Sequence, residues 1–379
     1  MKKLLLGVLA LWCAASMAFA AGGQAADTVT LGAVFPLSGQ VAFYGTESRD
    51  GIMLAIEEIN AAGGLLGKKL ALISEDDEGN AEKSVNAFTK LTTRDKVSFI
   101  LGSSTSGATQ AMTALAQRGK VILISPSATN TAVTRTGDYI FRACFIDPFQ
   151  GVVGADFAFD TLDVRRAAIL YDAGADYNTG LAEAFRNQFK TLGGQVVADE
   201  AYQTGDVDFN AQITRIKAAN PEVVYLPNYY NDVALQAKQL RAQGITCPLV
   251  GGDGWDGLID NAGDEALNSF WSAGFAADTT DPKGQIFVMA FANKFNKLAS
   301  QFAALGYDTM MLLADGIKAA GTFDTAAVKD AMAKLNGSYV TGNIRFDENR
   351  DPIKSAAILE IVRKDGKLAN AYKTTVNPK

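Results

Sequence analysis

The amino-acid sequence predicts an α/β fold of two doubly wound parallel-sheet lobes with a ligand cleft between them. Three observations carry that prediction. Strand and helix patterns alternate from Val29 to about residue 145, the alternation restarts near residue 167, and Ser/Thr-rich stretches follow the strands of the first half. Alternation of this kind implies parallel strands covered by helices on both faces. A chain of 379 residues is also long enough for two cores of ordinary size.

The elements follow in order. VTLGAVFP (29–36) reads as the first strand, and a helix over Thr46–Ala61 places Ile52, Ala55, Ile56 and Ile59 on one face before Gly63 and Gly64 stop it. LALIS (70–74) is the next strand, followed by a helix near Ala81–Thr93. The strand VSFIL (97–101) ends at Gly102, and a helix is expected over Gln110–Arg118; the strand VILI (121–124) then delivers Ser125, Ser127 and Thr129 to the same sheet edge. A short strand, YIFRACF (139–145), leads through Asp147-Pro148 into a helix. In the second half AAILYD (167–172), QVVADEAY (195–202), VVYLPN (223–228) and PLVGG (248–252) read as strands. Helices near Tyr177–Leu192, Phe209–Ala219 and Asp232–Gln243 separate them. After SFWSAGF (269–275) helices are expected near Gly284–Leu298, Tyr307–Ala320 and Thr325–Leu335. AAILEIVRKDGKLANAY then reads as a hairpin turning at Asp365-Gly366.

The first residues belong to a different class of signal. Lys2 and Lys3, an apolar run from Leu4 to Leu11, and the small-residue ending Ala18-Phe19-Ala20 have the layout of a secretory signal peptide cleaved near residues 20–26. Cys13 follows Trp12, where lipid attachment favours a small residue, so a lipoprotein is not expected. The remaining cysteines, Cys144 and Cys247, are too few for a disulfide framework and read as separately buried thiols. Without Lys2 and Lys3 the chain carries 33 basic and 41 acidic residues, which makes nucleic acid an improbable partner. Histidine is absent, which excludes Ser-His-Asp and Cys-His catalysis and histidine-ligated zinc.

The candidate binding residues lie where strands end. In the first half Ser103, Ser104, Thr105, Ser106 and Thr109 sit between a strand and a helix whose first amides have no intrahelical partner, a natural seat for an anion. Ser125, Ser127 and Thr129 reach the same carboxyl edge, where ligands of open α/β sheets bind. In the second half Tyr177, Tyr229, Tyr230 and Asp253 follow strands. A carboxylate on one wall and hydroxyls with helix amides on the other suit a zwitterion, its ammonium on Asp253 and its carboxylate at Ser106 and Thr129. Taken singly, each of these residues is as well explained as a helix cap, a turn former or rim packing. Gly252-Asp253-Gly254-Trp255-Asp256-Gly257 spells GxGxxG after a strand. It does not read as a dinucleotide fingerprint, because an aspartate in the first turn repels pyrophosphate and the motif comes late in its lobe.

The chain resembles the exported amino-acid-binding proteins of ABC importers, of the leucine/isoleucine/valine-binding type. The resemblance runs through LGAVFPLSG (31–39), YGTESRDGIMLAIEEINAAGG (44–64), SSTSGATQ (103–110), ISPSATN (124–130), DYNTG (176–180), NYYND (228–232), GGDGWDG (251–257) and LGYDTM (305–310). It implies a type I periplasmic-binding fold with a three-strand hinge, lobe 1 formed by residues 27–146 and 276–350 and lobe 2 by 147–275 and 351–379. It further implies closure around a small L-amino acid without chemistry, delivery to a membrane ABC permease, a periplasmic location, a monomer, and no cofactor or metal. Carried across, Ser106 and Thr129 would bind the ligand carboxylate, while the Ser127 carbonyl and Asp253 would take the ammonium. Ala128 would contribute loop backbone, Tyr177 and Tyr229 would cover the ligand, and Tyr44 and Phe302 would lie beside its side chain. Two departures stand out: the family's best-known members carry glutamate where Asp253 stands, and their first-lobe disulfide is missing here, where Thr105 and residues near Asn80 occupy the positions. Two other functions share the expectation. One is a sensor of the same fold that binds an amide or aromatic acid for a signalling partner. The other is an exported enzyme using Asp253 with Asp176 or Asp256.

Overall fold

The computed structural model describes residues 28–378, so the signal-peptide assignment lies outside the described residues. The first lobe opens with β1 (Thr28–Phe35), α1 (Ala42–Ala61), β2 (Lys69–Asp76), α2 (Ala81–Thr93), β3 (Phe99–Gly102), α3 (Ser106–Gly119), β4 (Ile122–Ser125), α4 (Ala132–Arg135) and β5 (Ile140–Arg142). Its five strands pair in the parallel order β2-β1-β3-β4-β5. The second lobe follows with α5 (Asp147–Asp156), β6 (Arg166–Asp172), α6 (Asp176–Thr191), β7 (Gln195–Tyr202), α7 (Asn210–Ala219), β8 (Val223–Leu226), α8 (Tyr230–Ala242), β9 (Leu249–Gly251) and β10 (Ser269–Ala273). The chain then returns to the first lobe through α9 (Pro282–Phe295), α10 (Gln301–Ala320) and α11 (Thr325–Met332). A small antiparallel sheet follows, of β11 (Asn336–Tyr339), β12 (Gly342–Phe346) and β13 (Pro352–Ile353). The hairpin of β14 (Ala356–Lys364) and β15 (Lys367–Val376) completes the second sheet, in the order β15-β14-β10-β9-β8-β6-β7. Asp365 and Gly366 both take positive φ, the conformation a two-residue hairpin turn requires.

The inner parallel strands β3, β4, β8 and β9 are buried on both faces, which is why they read as apolar runs. In the first lobe Leu31, Ala33, Ile122 and Ile124 pack toward α1 and α10, and Val34, Ile100 and Leu123 pack toward α2 and α3. Three helices start four or more residues earlier than their patterns suggest, α1 among them at Ala42. The α3 helix begins at Ser106 with Thr105 as its extended N-cap, and α10 begins at Gln301, capped by the Ser300 side chain, which accepts from Ala303 N–H. Glycines inside both stretches look like breakers, but in α10 Gly306 is a contact residue. A Cβ there would lie 2.1 Å from the Ser48 carbonyl of α1, and one on Gly51 would lie 1.9 Å from the Ala303 carbonyl. These two glycines let α1 and α10 lie backbone against backbone.

Three segments cross between the lobes, near residues 143–146, 274–281 and 354–355. Cys144 in the first crossing is buried and Cys247 is half-buried, and both are free thiols. Across the cleft Val41, Tyr44 and Phe302 join Trp255 and Leu258 in one apolar cluster.

Candidate functional site

Two loops of the first lobe are stitched together at the carboxyl ends of β3 and β4. The Ser125 hydroxyl donates to the Ser103 carbonyl at 2.6 Å, and the Ser127 hydroxyl donates to the Ser104 carbonyl at 2.8 Å. The Thr109 hydroxyl also donates to Ser103 at 3.0 Å, and the Asn130 N–H donates to the Ser106 hydroxyl at 3.2 Å. Several hydroxyls of this polar run are therefore spent on holding the loops in register. What they hold is the start of α3, where Thr105 and Ser106 are buried, Ser106 borders the cavity, and the first amides have no intrahelical partner.

The facing wall is built around Asp253, which opens a 3₁₀ turn directly after β9. Its Oδ1 accepts from Gln150 Nε2 at 3.0 Å and from the Tyr177 hydroxyl at 3.0 Å. The Asp253 N–H in turn donates to Gln150 Oε1 at 2.6 Å, and that oxygen also accepts from the Ser272 hydroxyl at 2.8 Å. The Tyr177 hydroxyl accepts the Gly254 N–H at 3.1 Å. The Gln150 and Tyr177 side chains both bond Oδ1, and Asp253 borders the cavity between the lobes. Burial pushes the Asp253 carboxyl up to about 6, against the pull of Gln150 and Tyr177, and no lysine or arginine offsets it. The site thus holds a buried acid whose charged form is disfavoured by desolvation. The Gly252–Gly257 stretch forms short 3₁₀ turns around Asp253 with no α-helix after the strand, which removes the helix N-terminus a pyrophosphate needs.

Aromatic rings close the sides. Tyr44 stacks on Phe302 with centroids 4.4 Å apart, and Tyr177 stacks on Tyr229 at 4.9 Å. Tyr44, Ser104, Ser106, Ser127 and Phe302 from the first lobe and Tyr177, Tyr229, Asp253 and Gly254 from the second surround a cavity of about 10 Å³. That is room for roughly one water molecule. An amino acid enters only when the lobes part.

Six hydrogen bonds across the cleft hold them together. The Tyr44 hydroxyl donates to the Gly254 carbonyl at 2.5 Å while accepting the Tyr230 N–H at 3.3 Å. The Tyr230 hydroxyl donates to the Gln40 carbonyl at 2.7 Å, and Asn130 Nδ2 donates to the Asp176 carbonyl at 2.8 Å. At the start of α10, Gln301 N–H donates to Asp256 Oδ2 at 2.9 Å and Gln301 Nε2 donates to the Asp253 carbonyl at 2.7 Å.

The structure therefore gathers Tyr44, Ser106, Ser127, Tyr177, Tyr229, Asp253 and Phe302 around one cavity. Ala128 and Thr129 are fully buried one layer beneath it. The Ala128 carbonyl accepts from Arg142 and from Cys144 Sγ, and the Thr129 carbonyl accepts the Asp147 N–H at 3.0 Å. Sequence reading missed Gln150, the residue that orients Asp253 from 103 positions away; a glutamine in an amphipathic helix carries no local signal of such a role. Ser104 lay within the polar run already singled out.

A family model described as "Periplasmic binding protein" matches residues 28–367. The leucine-, isoleucine-, valine-, threonine- and alanine-binding protein of Pseudomonas aeruginosa is 31% identical over 339 residues, covering 88% of this chain and 89% of its own. The Leu/Ile/Val-binding protein BraC3 of Rhizobium johnstonii is 33% identical over 347 residues, covering 89% and 92%. Among solved structures, the branched-chain amino acid transporter substrate-binding protein LivJ of Streptococcus pneumoniae, in complex with isoleucine, superposes with a TM-score of 0.86 at 35% identity over 93% of this chain and all of its own. A Rhodopseudomonas palustris solute-binding protein in complex with 3,4-dihydroxybenzoic acid superposes with a TM-score of 0.84 at 24% identity, covering 93% and 98%, a likeness of fold alone. With its paired parallel-sheet lobes, three crossings and inter-lobe cavity, the chain belongs to the periplasmic binding protein family, in the type that includes the Leu/Ile/Val-binding proteins.

Proposed function

We propose that the protein is an extracytoplasmic receptor that captures a small aliphatic L-amino acid by lobe closure and delivers it to an ABC permease. The observation that carries this reading is Asp253, a buried carboxylate without a basic partner, facing the hydroxyl and amide floor of the other lobe. Those two walls are complementary to an ammonium and a carboxylate on one carbon. Ser106 and Thr129 take the ligand carboxylate, and Asp253 with the Ser127 carbonyl takes the ammonium. Tyr177 and Tyr229 cover the bound ligand, Tyr44 and Phe302 border its side chain, and Ala128 supplies loop backbone. Capture is a shift between open and closed states, driven by the ligand's greater affinity for the closed one. Relatives named for leucine, isoleucine and valine support the substrate class, and the family supports a periplasmic site of action.

Calorimetric titration of the mature protein with L-amino acids, their amides and benzoates tests the reading. Saturable binding confined to aliphatic α-amino acids, recovered chemically unaltered, is the expected result. Binding only to compounds that lack an α-ammonium would overturn the role of Asp253 and favour the sensor alternative.

A further inference from the structure

The loop Ser127–Asn130 rests on a buried ion pair that belongs to neither wall of the cavity. Arg142, the last residue of β5, is fully buried and its Nε lies 2.8 Å from Asp351 Oδ1, itself 3% exposed. The guanidinium donates Nη1 to the Ala128 carbonyl, and Nη2 to the Asn130 carbonyl at 2.9 Å and to the Thr134 hydroxyl at 3.1 Å. Asp351 is fixed in turn by the Thr134 hydroxyl at 2.8 Å and by Arg135 Nη1 at 3.2 Å. Arg142 stands just before the first crossing of the hinge and Asp351 just before the third. One planar fork thus gathers two carbonyls of the loop and ties them to both crossings.

That arrangement has a directional consequence. In a trans peptide the N–H points opposite to the C=O. Drawing the Ala128 carbonyl onto Arg142 turns the next amide, Thr129 N–H, to the opposite side of that peptide. A planar, multidentate cation can hold two carbonyls from two nitrogens while its charge is paired with Asp351; an ammonium at the same place is a point charge. We propose that Arg142, held by Asp351, is the positioning residue of the ligand-carboxylate loop, setting the Thr129 N–H as a preformed donor to the ligand's anionic end. This rests on the amino-acid reading of the site, but the geometry of the loop can be tested apart from it.

Two variants separate the possibilities. The pair Arg142→Met with Asp351→Leu replaces both charges by apolar groups of similar size, which leaves no uncompensated charge in the core. Arg142→Lys keeps the charge and removes the fork. Hydrogen exchange in the ligand-free protein is read first. The Ala128, Thr129 and Asn130 amides are expected to exchange about tenfold faster or more in both variants, while those of β3 keep their protection. The second readout is the affinity ratio between L-leucine and L-leucinol, which lacks the carboxylate. It is expected to fall roughly 10- to 100-fold in both variants, the worth of one hydrogen bond to a charged group, with leucinol binding unchanged. Unaltered loop exchange overturns the clamp whatever the ligand proves to be. A preserved leucine-to-leucinol ratio, or full recovery by lysine, also overturns it. If the parent protein binds no α-amino acid, the functional reading fails, and the exchange result alone decides the clamp.

Discussion

Replacing Asp253 by asparagine should make the ligand-free protein more stable and the receptor nearly inert. Asparagine Oδ1 can accept from Gln150 Nε2 and from the Tyr177 hydroxyl as the carboxylate does, so the change removes the charge and little else. Burial raises the Asp253 carboxyl from 3.8 to about 6. At 1.36 kcal/mol per unit, keeping that group ionised at pH 7 costs the folded protein about 2–3 kcal/mol. The sign follows from the raised value. The wild-type contribution is favourable below the unfolded pKa and lost as the pH climbs through about 6. The variant's advantage should therefore be absent near pH 3.5, grow between about pH 4 and 6, and level off above. Urea denaturation of both proteins across this range gives the difference directly. Affinity for an aliphatic amino acid should move the opposite way, falling on the order of 10²- to 10³-fold, as when one partner of a buried charge pair is removed. A variant that binds L-leucine within threefold of the parent, or that gains no stability at pH 7, would refute the reasoning.

Other perturbations test other parts of the structure. Burial also pushes Asp147 up to about 8 and Asp256 up to about 7, so the stability of the ligand-free protein should decline as the pH rises from about 4 through 8. Urea midpoints measured over that range check it, and a midpoint that rises throughout would contradict it. Tyr44→Phe removes the donor to the Gly254 carbonyl and the acceptor of the Tyr230 N–H, both across the cleft. Closure should weaken by about 1 kcal/mol, seen as a similar, roughly fivefold loss of affinity for every ligand in calorimetry. Gly306→Ala forces a Cβ to within 2.1 Å of the Ser48 carbonyl, and backbone cannot yield as a flexible side chain would. It should cost about 1–3 kcal/mol of stability in chemical denaturation.

The fold was legible because parallel strands covered on both faces must be apolar where they are buried, as β8 is throughout and β1 and β6 are over Leu31–Phe35 and Ala167–Leu170. The α2 helix and the Asp365-Gly366 hairpin turn were equally plain, since capping and turn chemistry are local. Where local rules misled, tertiary contact was the reason. Gly306 reads as a breaker, yet it sits inside α10, where the missing side chain admits the Ser48 carbonyl of α1. The small sheet of β11, β12 and β13 is built from strands of two to five residues, too short to show a period. In the site, residues that end strands announced themselves, since a sheet edge collects them wherever they fall in sequence. Gln150 and Arg142 did not. Each acts through a partner more than a hundred residues distant, Asp253 and Asp351, or through carbonyls that carry no sequence signal at all.

Closure and charge are coupled in a way that predicts how binding responds to acid. In the closed protein Asp253 is enclosed, among the described residues no lysine or arginine pairs with it, and burial pushes its carboxyl up to about 6. A ligand ammonium at the same oxygens does what a proton does, so proton and ligand compete. Linkage makes the competition reciprocal. Above about pH 7 the acid is ionised and affinity should be flat, whereas below about pH 6 it should fall toward tenfold per pH unit as binding displaces a proton. Titration in two buffers of different ionisation enthalpy measures that proton directly, approaching one released per ligand at the acid end. The effect runs against the lower cost of closing the lobes on a protonated, neutral Asp253. An affinity that stays constant between pH 4.5 and 7.5 would mean that the ammonium is held elsewhere, by carbonyls such as that of Ser127, and that Asp253 shapes the second lobe without touching the ligand's charge.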